Sequence, residues 1–125
     1  MVTGLLDTAI VVDLLRSYPP AGAWLAGQTT LGLSPVVWLE IIEGAADSRA
    51  QERAVKLLRR FELVDVVAED FAWAIRQALR LRLSHSVGMM DCLIASTARR
   101  LTLPLYSRNS KHFGPLLGEL AQVPY

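Results

Sequence analysis

Apolar residues fall along this chain in two rhythms. Short, mostly apolar runs at residues 4–6, 30–34, 63–67 and 104–107 predict strands. Longer stretches between them predict helices over residues 9–16, 21–26, 36–46 and 49–61, over 69 onward, and over 89–101. Ser17-Tyr18-Pro19-Pro20 reads as a breaker, and Pro35 suits the first turn of the helix that follows it. In the segment 49–61, Ala54, Leu57, Leu58 and Phe61 recur at helical spacing, with Arg53, Lys56, Arg59 and Arg60 off that stripe. Glu69 and Asp70 open a long helix, favoured there by the helix dipole, for which the spacing predicts Phe71, Ile75, Ala78 and Leu79 inward. His85-Ser86-Val87-Gly88 reads as a loop, and the tail from Phe113 as a short edge strand.

Strands alternating with helices imply an α/β fold whose parallel sheet is covered on both faces. The length of 125 residues suits one domain, residues 1–125, with a core that needs no disulfide. Sites in such open sheets form outside the carboxyl ends of the strands, where Asp7 and Asn109 are expected.

Composition narrows the class. Just over half of the residues are hydrophobic and a fifth are charged, which is globular and not disordered. The first apolar stretch carries Asp7 and Asp13 and lacks a basic leader, so it reads as neither a secretion signal nor a membrane span. A single cysteine, Cys92, excludes an internal disulfide, fits the cytoplasm, and reads as a small buried residue. The net charge of +1 says little about partners. The pairs Arg49/Arg53 and Arg76/Arg80 read as solvated helix faces, and His85 and His112 as incidental. Trp24, Trp38 and Trp73 read as core or partner contacts.

Three acids stand out against this background. Asp7 lies in LLDTAIVV, Glu40 in VVWLEII and Asp91 in MMDCLIA. A carboxylate in apolar surroundings is costly unless it is paired, hydrogen-bonded or bound to a metal. None of the three segments carries a Lys or Arg on a neighbouring turn, so a shared divalent cation is the economical partner. Each acid alone has a plainer reading: Asp7 and Asp91 as helix caps, Glu40 as a solvent-facing residue. The trio, spread over three elements, is the stronger signal.

The pattern resembles the PIN-domain ribonucleases, and among them the VapC-type toxins. Leu5-Leu6-Asp7-Thr8 resembles the family's opening motif. Ser34-Pro35-Val36-Val37-Trp38-Leu39-Glu40-Ile41-Ile42-Glu43-Gly44 resembles the second, with a Ser six residues before an essential Glu. Asp91-Cys92-Leu93-Ile94-Ala95-Ser96-Thr97-Ala98 resembles the third, and Leu105 to Phe113, with Ser107-Arg108-Asn109, the fourth. The resemblance implies a three-layer α/β/α sandwich with a central, mostly parallel sheet of four to five strands. It implies Mg²⁺ or Mn²⁺ held by Asp7, Glu40 and Asp91, with Asn109 as a fourth catalytic residue, hydrolysis of RNA phosphodiesters, a homodimer, and a small cognate antitoxin. Two departures stand beside it: Asn109 replaces an acid found in many members, with His112 where a further acid sometimes stands, and Val37 replaces a common Thr or Ser.

With one Mg²⁺, three ionised acids leave the site about one unit negative, by charge addition. Cations or a second metal must therefore draw in the RNA phosphate, and Ser107, Arg108 and Lys111 are the expected substrate contacts. Two other readings compete. Asn109 motivates a catalytically impaired PIN fold serving as an RNA-binding or dimerisation module. A phosphatase or phospho-receiver would need a second acid beside Asp7 or a partnered late Lys, and neither is evident.

Overall fold

The computed structural model describes residues 1–125. In chain order the elements are β1 (Gly4–Leu6), α1 (Thr8–Leu15), α2 (Pro19–Ala26), β2 (Leu31–Leu33), α3 (Pro35–Glu43), α4 (Ser48–Leu58) and β3 (Glu62–Leu63). There follow α5 (Ala68–His85), α6 (Met89–Leu101), β4 (Leu105–Tyr106), α7 (Ser110–Leu117), a 3₁₀ turn (Gly118–Leu120) and β5 (Ala121–Gln122). The five strands form one sheet in the order β3-β2-β1-β4-β5, and every pairing is parallel.

β1 and its neighbours are short because both faces are covered, so each residue must be apolar or glycine. Leu5, Leu6, Leu33 and Leu105 are all fully buried. Gly4 is required by packing: a Cβ there would stand 2.5 Å from the Tyr106 ring. β1 lies centrally, pairing Leu5 with Gly32 on one side and with Leu105 on the other. The chain reverses direction across the sheet beside it, since β2 and β3 extend one way and β4 and β5 the other. The crevice of an open α/β sheet forms at that switch, so Asp7, directly after β1, stands at its mouth.

Several expected boundaries are corrected. The break expected at Ser17 to Pro20 falls at Arg16 to Tyr18, and Pro19 and Pro20 already belong to α2, because proline loses nothing at a first helical turn. α3 stops at Glu43, capped by Gly44. The third strand keeps only two residues, Glu62–Leu63. His85 ends α5 and does not belong to the loop; Ser86 follows in the left-handed region at φ 53°. An unexpected helix, α7, spans Ser110–Leu117 with Pro115 inside it. The edge strand expected in the tail forms only at Ala121–Gln122.

The largest correction concerns α5. Phe71, Ile75 and Leu79, expected inward, are exposed, while Asp70, Trp73, Ala74 and Leu81 are buried. Asp70 explains the rotation. Its carboxylate accepts from Val67 N at 3.0 Å and from Arg100 Nε at 3.0 and 3.1 Å. Arg100 also donates to the Asp65 carbonyl at 2.9 Å. A paired, hydrogen-bonded carboxylate tolerates burial, so this bridge turns Trp73, Ala74 and Leu81 onto α6.

Candidate metal centre

Each of the three singled-out acids stands at the start of a helix or within its second turn. Asp7 precedes α1, Glu40 is the sixth residue of α3, and Asp91 is the third of α6. Asp7 is buried, and Glu40 and Asp91 are half-buried. Burial pushes the Asp7 carboxyl from 3.8 up to about 6; the nearby charge of Asp91 adds to the rise, while the Ser107 hydroxyl and the backbone amides of Thr8 and Ala9 oppose it. An acid raised in this way is short of positive charge.

A chain of hydrogen bonds joins the strand ends. Ser107, after β4, donates its hydroxyl to Asp7 Oδ2 at 2.7 Å. The same hydroxyl oxygen accepts from Asn109 N at 2.9 Å. His112 Nδ1 lies 2.9 Å from the Asn109 amide nitrogen and 3.1 Å from Asp91 Oδ2; it donates to Asp91 in the tautomer that carries a proton on Nδ1 and accepts from Asn109 in the other. On the other side of Asp7, Thr8 donates its hydroxyl to Glu40 Oε1 at 2.7 Å. So each carboxylate has one oxygen committed to a neighbour, while Asp7 Oδ1, Glu40 Oε2 and Asp91 Oδ1 make no side-chain hydrogen bond.

No three His, Cys, Asp or Glu side chains close into a tight cage, so the expected single three-acid pocket is corrected to an open one. Like-charged carboxylates repel, and each is drawn to its own hydroxyl or imidazole. The donor set still suits a hydrated hard cation. Mg²⁺ keeps several waters and binds through one or two carboxylates, so it needs no closed protein cage. The unspent oxygens, the buried anion at Asp7 and the amide of Asn109 meet that requirement.

A cavity of about 450 Å³ opens beside this network. It runs from Thr8 and Glu40, past Val12, Leu15 and Ile41, to Arg16 and Arg53. Arg53 Nη2 is held at that far end by the Leu15 carbonyl at 2.8 Å.

The chain matches the family model described as PIN domain over residues 4–113. It is also 35% identical over 127 aligned residues to Ribonuclease VapC19 of Mycobacterium tuberculosis, covering 97% of this chain and 98% of that protein. The chain belongs to the VapC family of PIN domains. Its fold is similar to a chain of a toxin-antitoxin complex from Klebsiella pneumoniae, with TM-score 0.77, 26% identity and 98% of each chain covered. It is similar also to a chain of VapBC2 from Rickettsia felis bound to a promoter DNA fragment, with TM-score 0.73 and 26% identity, covering 90% of this chain and 91% of that one.

Within this VapC-family chain, the residues expected to contact substrate divide. Ser107 is buried and faces Asp7, so it positions a carboxylate and is not free to contact RNA. Arg108 turns away: its Nη1 lies 3.1 Å from Asp13 Oδ2, and its guanidinium sits 5.3 Å from the Tyr18 ring and 6.0 Å from the Tyr125 ring. Tyr125 donates its hydroxyl to the same Asp13 oxygen at 2.6 Å, which completes that cluster. Lys111 stays exposed, two residues beyond Asn109. Two contributors had little signal in sequence. Thr8 carried no reading beyond its place in the opening motif, and His112 read as a lone histidine; only its place in the fourth motif marked it.

Proposed function

We propose that this chain is an endoribonuclease dependent on Mg²⁺ or Mn²⁺, acting in the cytoplasm as the toxin of a toxin–antitoxin pair. A small cognate antitoxin restrains it, and it works as a homodimer. The observation that carries this reading is Asp7: a buried carboxyl raised to about 6, without an internal cation, held by Ser107 and within reach of the Asp91 charge. The relatedness to Ribonuclease VapC19 and the likeness to toxin–antitoxin complexes support the same conclusion.

Asp7, Glu40 and Asp91 would hold the ion. When bound, a divalent cation there polarises a phosphoryl oxygen and lowers the pKa of a coordinated water. The protein's own part is orientation. Ser107 fixes Asp7 by Oδ2, Thr8 fixes Glu40 by Oε1, and His112 fixes Asp91 by Oδ2, so one oxygen of each carboxylate is left without a side-chain partner. Asn109 holds Ser107 through its backbone N–H and contributes no charge. Arg16 and Arg53 share the cavity with Glu40 and, with Lys111, take the phosphate-attracting part first expected of Arg108.

The test is RNA cleavage by the wild type and by Glu40→Gln, with Mg²⁺, with Mn²⁺ and with chelator. Cleavage by the wild type only, and only with metal, supports the proposal. Equal cleavage by both, or cleavage unaffected by chelator, contradicts it. Arrest of growth on expression, relieved by Glu40→Gln, checks the toxin role.

A further inference from the structure

Two contacts tie the loop after β4 to α1, one near each end of that helix. At the start, the Ser107 hydroxyl donates to Asp7 Oδ2 at 2.7 Å. Toward the other end, Arg108 Nη1 donates to Asp13 Oδ2 at 3.1 Å. Helix α1 and the pair Ser107-Arg108 therefore form two sides of a closed frame, with the buried Asp7 at one corner. Arg108 lies between β4 and α7, and its backbone N–H and carbonyl make no backbone hydrogen bond, so its side chain is what fixes it.

That side chain is gripped on several sides. The guanidinium lies 5.3 Å from the centre of the Tyr18 ring and 6.0 Å from that of Tyr125, the range of a cation–π contact. Tyr125 donates its hydroxyl to the same Asp13 oxygen at 2.6 Å. Burial and the Asp13 carboxylate push that hydroxyl up, so it stays a donor at neutral pH. The Asp13 carbonyl in turn accepts from Tyr18 N at 3.0 Å. An exposed ion pair by itself is worth little, but the Asp13 side chain is only 13% exposed and takes two donors on one oxygen.

We propose that Asp13, Tyr18 and Tyr125 are positioning residues: by clasping Arg108 they keep Ser107 on Asp7 Oδ2 and so keep the metal centre in order. The metal part rests on the proposed function; the clasp itself does not. Arginine suits the place better than lysine, because its planar guanidinium stacks on aromatic rings while bonding a carboxylate. The same grip holds Arg108 back from a phosphate.

Amide hydrogen exchange of metal-free protein, read by NMR, tests the clasp without the metal. Ser107 N donates to the Gln122 carbonyl at 2.9 Å and Asn109 N to Ser107 Oγ at 2.9 Å, so both amides are protected while the loop is held. Tyr125→Ala and Asp13→Asn should speed exchange at Ser107 and Asn109 at least ~10-fold, with the amides of α6 unchanged. Tyr125→Phe, which keeps the ring, should show a smaller change, and it serves as the second variant should Asp13→Asn fold poorly. Mn²⁺ calorimetry then tests the link to the site. Tyr125→Ala should weaken binding by up to ~10-fold, the ceiling set by loss of Ser107 itself. In a Ser107→Ala background it should add nothing, because a residue acting through that hydroxyl has no effect once the hydroxyl is gone. Arg108→Lys should fall between the wild type and Arg108→Ala. Unchanged exchange in the clasp variants, or losses of affinity that simply add in the double variant, would overturn the proposal. A wild type that binds no Mn²⁺ would overturn the proposed function instead, with the exchange rates still deciding whether the clasp holds Ser107.

Discussion

Asp7 and Asp70 are both buried carboxylates, 5% and 1% exposed, and they have opposite roles. Asp70 shares the Nε–H of Arg100 between its two oxygens and accepts the backbone N–H of Val67, so its charge is answered from within the protein. Asp7 receives one side-chain hydroxyl, from Ser107, and lies close enough to Asp91 to feel its charge. The first arrangement fixes α5 against α6. The second leaves an anion that only something from outside can neutralise. Depth of burial therefore does not distinguish a structural acid from a functional one; the partner does.

The sharpest break in the comparison comes from substituting each acid by its amide. On the proposed function, Asp7→Asn should lower RNA cleavage at least ~100-fold, because the proposed metal ligand is lost. In metal-free protein near pH 7.5, the same change should raise stability, by up to ~3 kcal/mol if the whole shift of Asp7 is recovered. Asp70→Asn should do the reverse, costing ~3 kcal/mol in stability by leaving Arg100 without its partner, with metal affinity nearly unchanged. Urea unfolding and cleavage assays of the two variants read both quantities.

The pH dependence of metal-free protein follows from the same acid. Asp7 binds its proton more tightly folded, at about 6, than unfolded, near 3.8. Between those values the native state holds the extra proton, so its contribution to stability falls as pH rises. Below about pH 4 both states are protonated and the contribution is flat; above about pH 6 the penalty is complete, at ~3 kcal/mol. Thermal unfolding with chelator should show this decline from pH 4 to 7, and Asp7→Asn should remove it. Adding Mg²⁺ or Mn²⁺ at pH 7.5 should recover ~2.7 kcal/mol at a hundred times the dissociation constant. The smallest expected effects are those of the residues that hold the acids. Ser107→Ala and His112→Ala should each weaken metal binding ~10-fold by calorimetry, with the fold intact by circular dichroism.

Much of this was legible in the sequence because it is local. The run before Asp7, the Pro35 start of α3 and the helix at Met89 each carry their own signal, and the acids betrayed themselves by their apolar company. The face of α5 was not legible, since the helix has two apolar rows. Phe71, Ile75 and Leu79 form one; Trp73, Ala74 and Leu81 form the other. Periodicity reports that a row exists, not which row meets the core, and the deciding contact, Asp70 with Arg100, spans thirty residues. α7 was not legible: the tail from Phe113 read as an edge strand, while the helix is opened by the Asn109 carbonyl, which accepts from His112 N and Phe113 N. Arg108 beside Asn109 looked like a phosphate contact, but Asp13 and the Tyr18 and Tyr125 rings, distant in sequence, claim it.

Calorimetric titration of Mn²⁺ into wild type, Asp7→Asn and Asp70→Asn at pH 7.5 puts the contrast between the two aspartates to one instrument. A site present in the wild type and in Asp70→Asn, and lost or weakened at least ~10-fold in Asp7→Asn, is the predicted result. Equal Mn²⁺ affinity in wild type and Asp7→Asn would show that this buried acid is not where the cation binds.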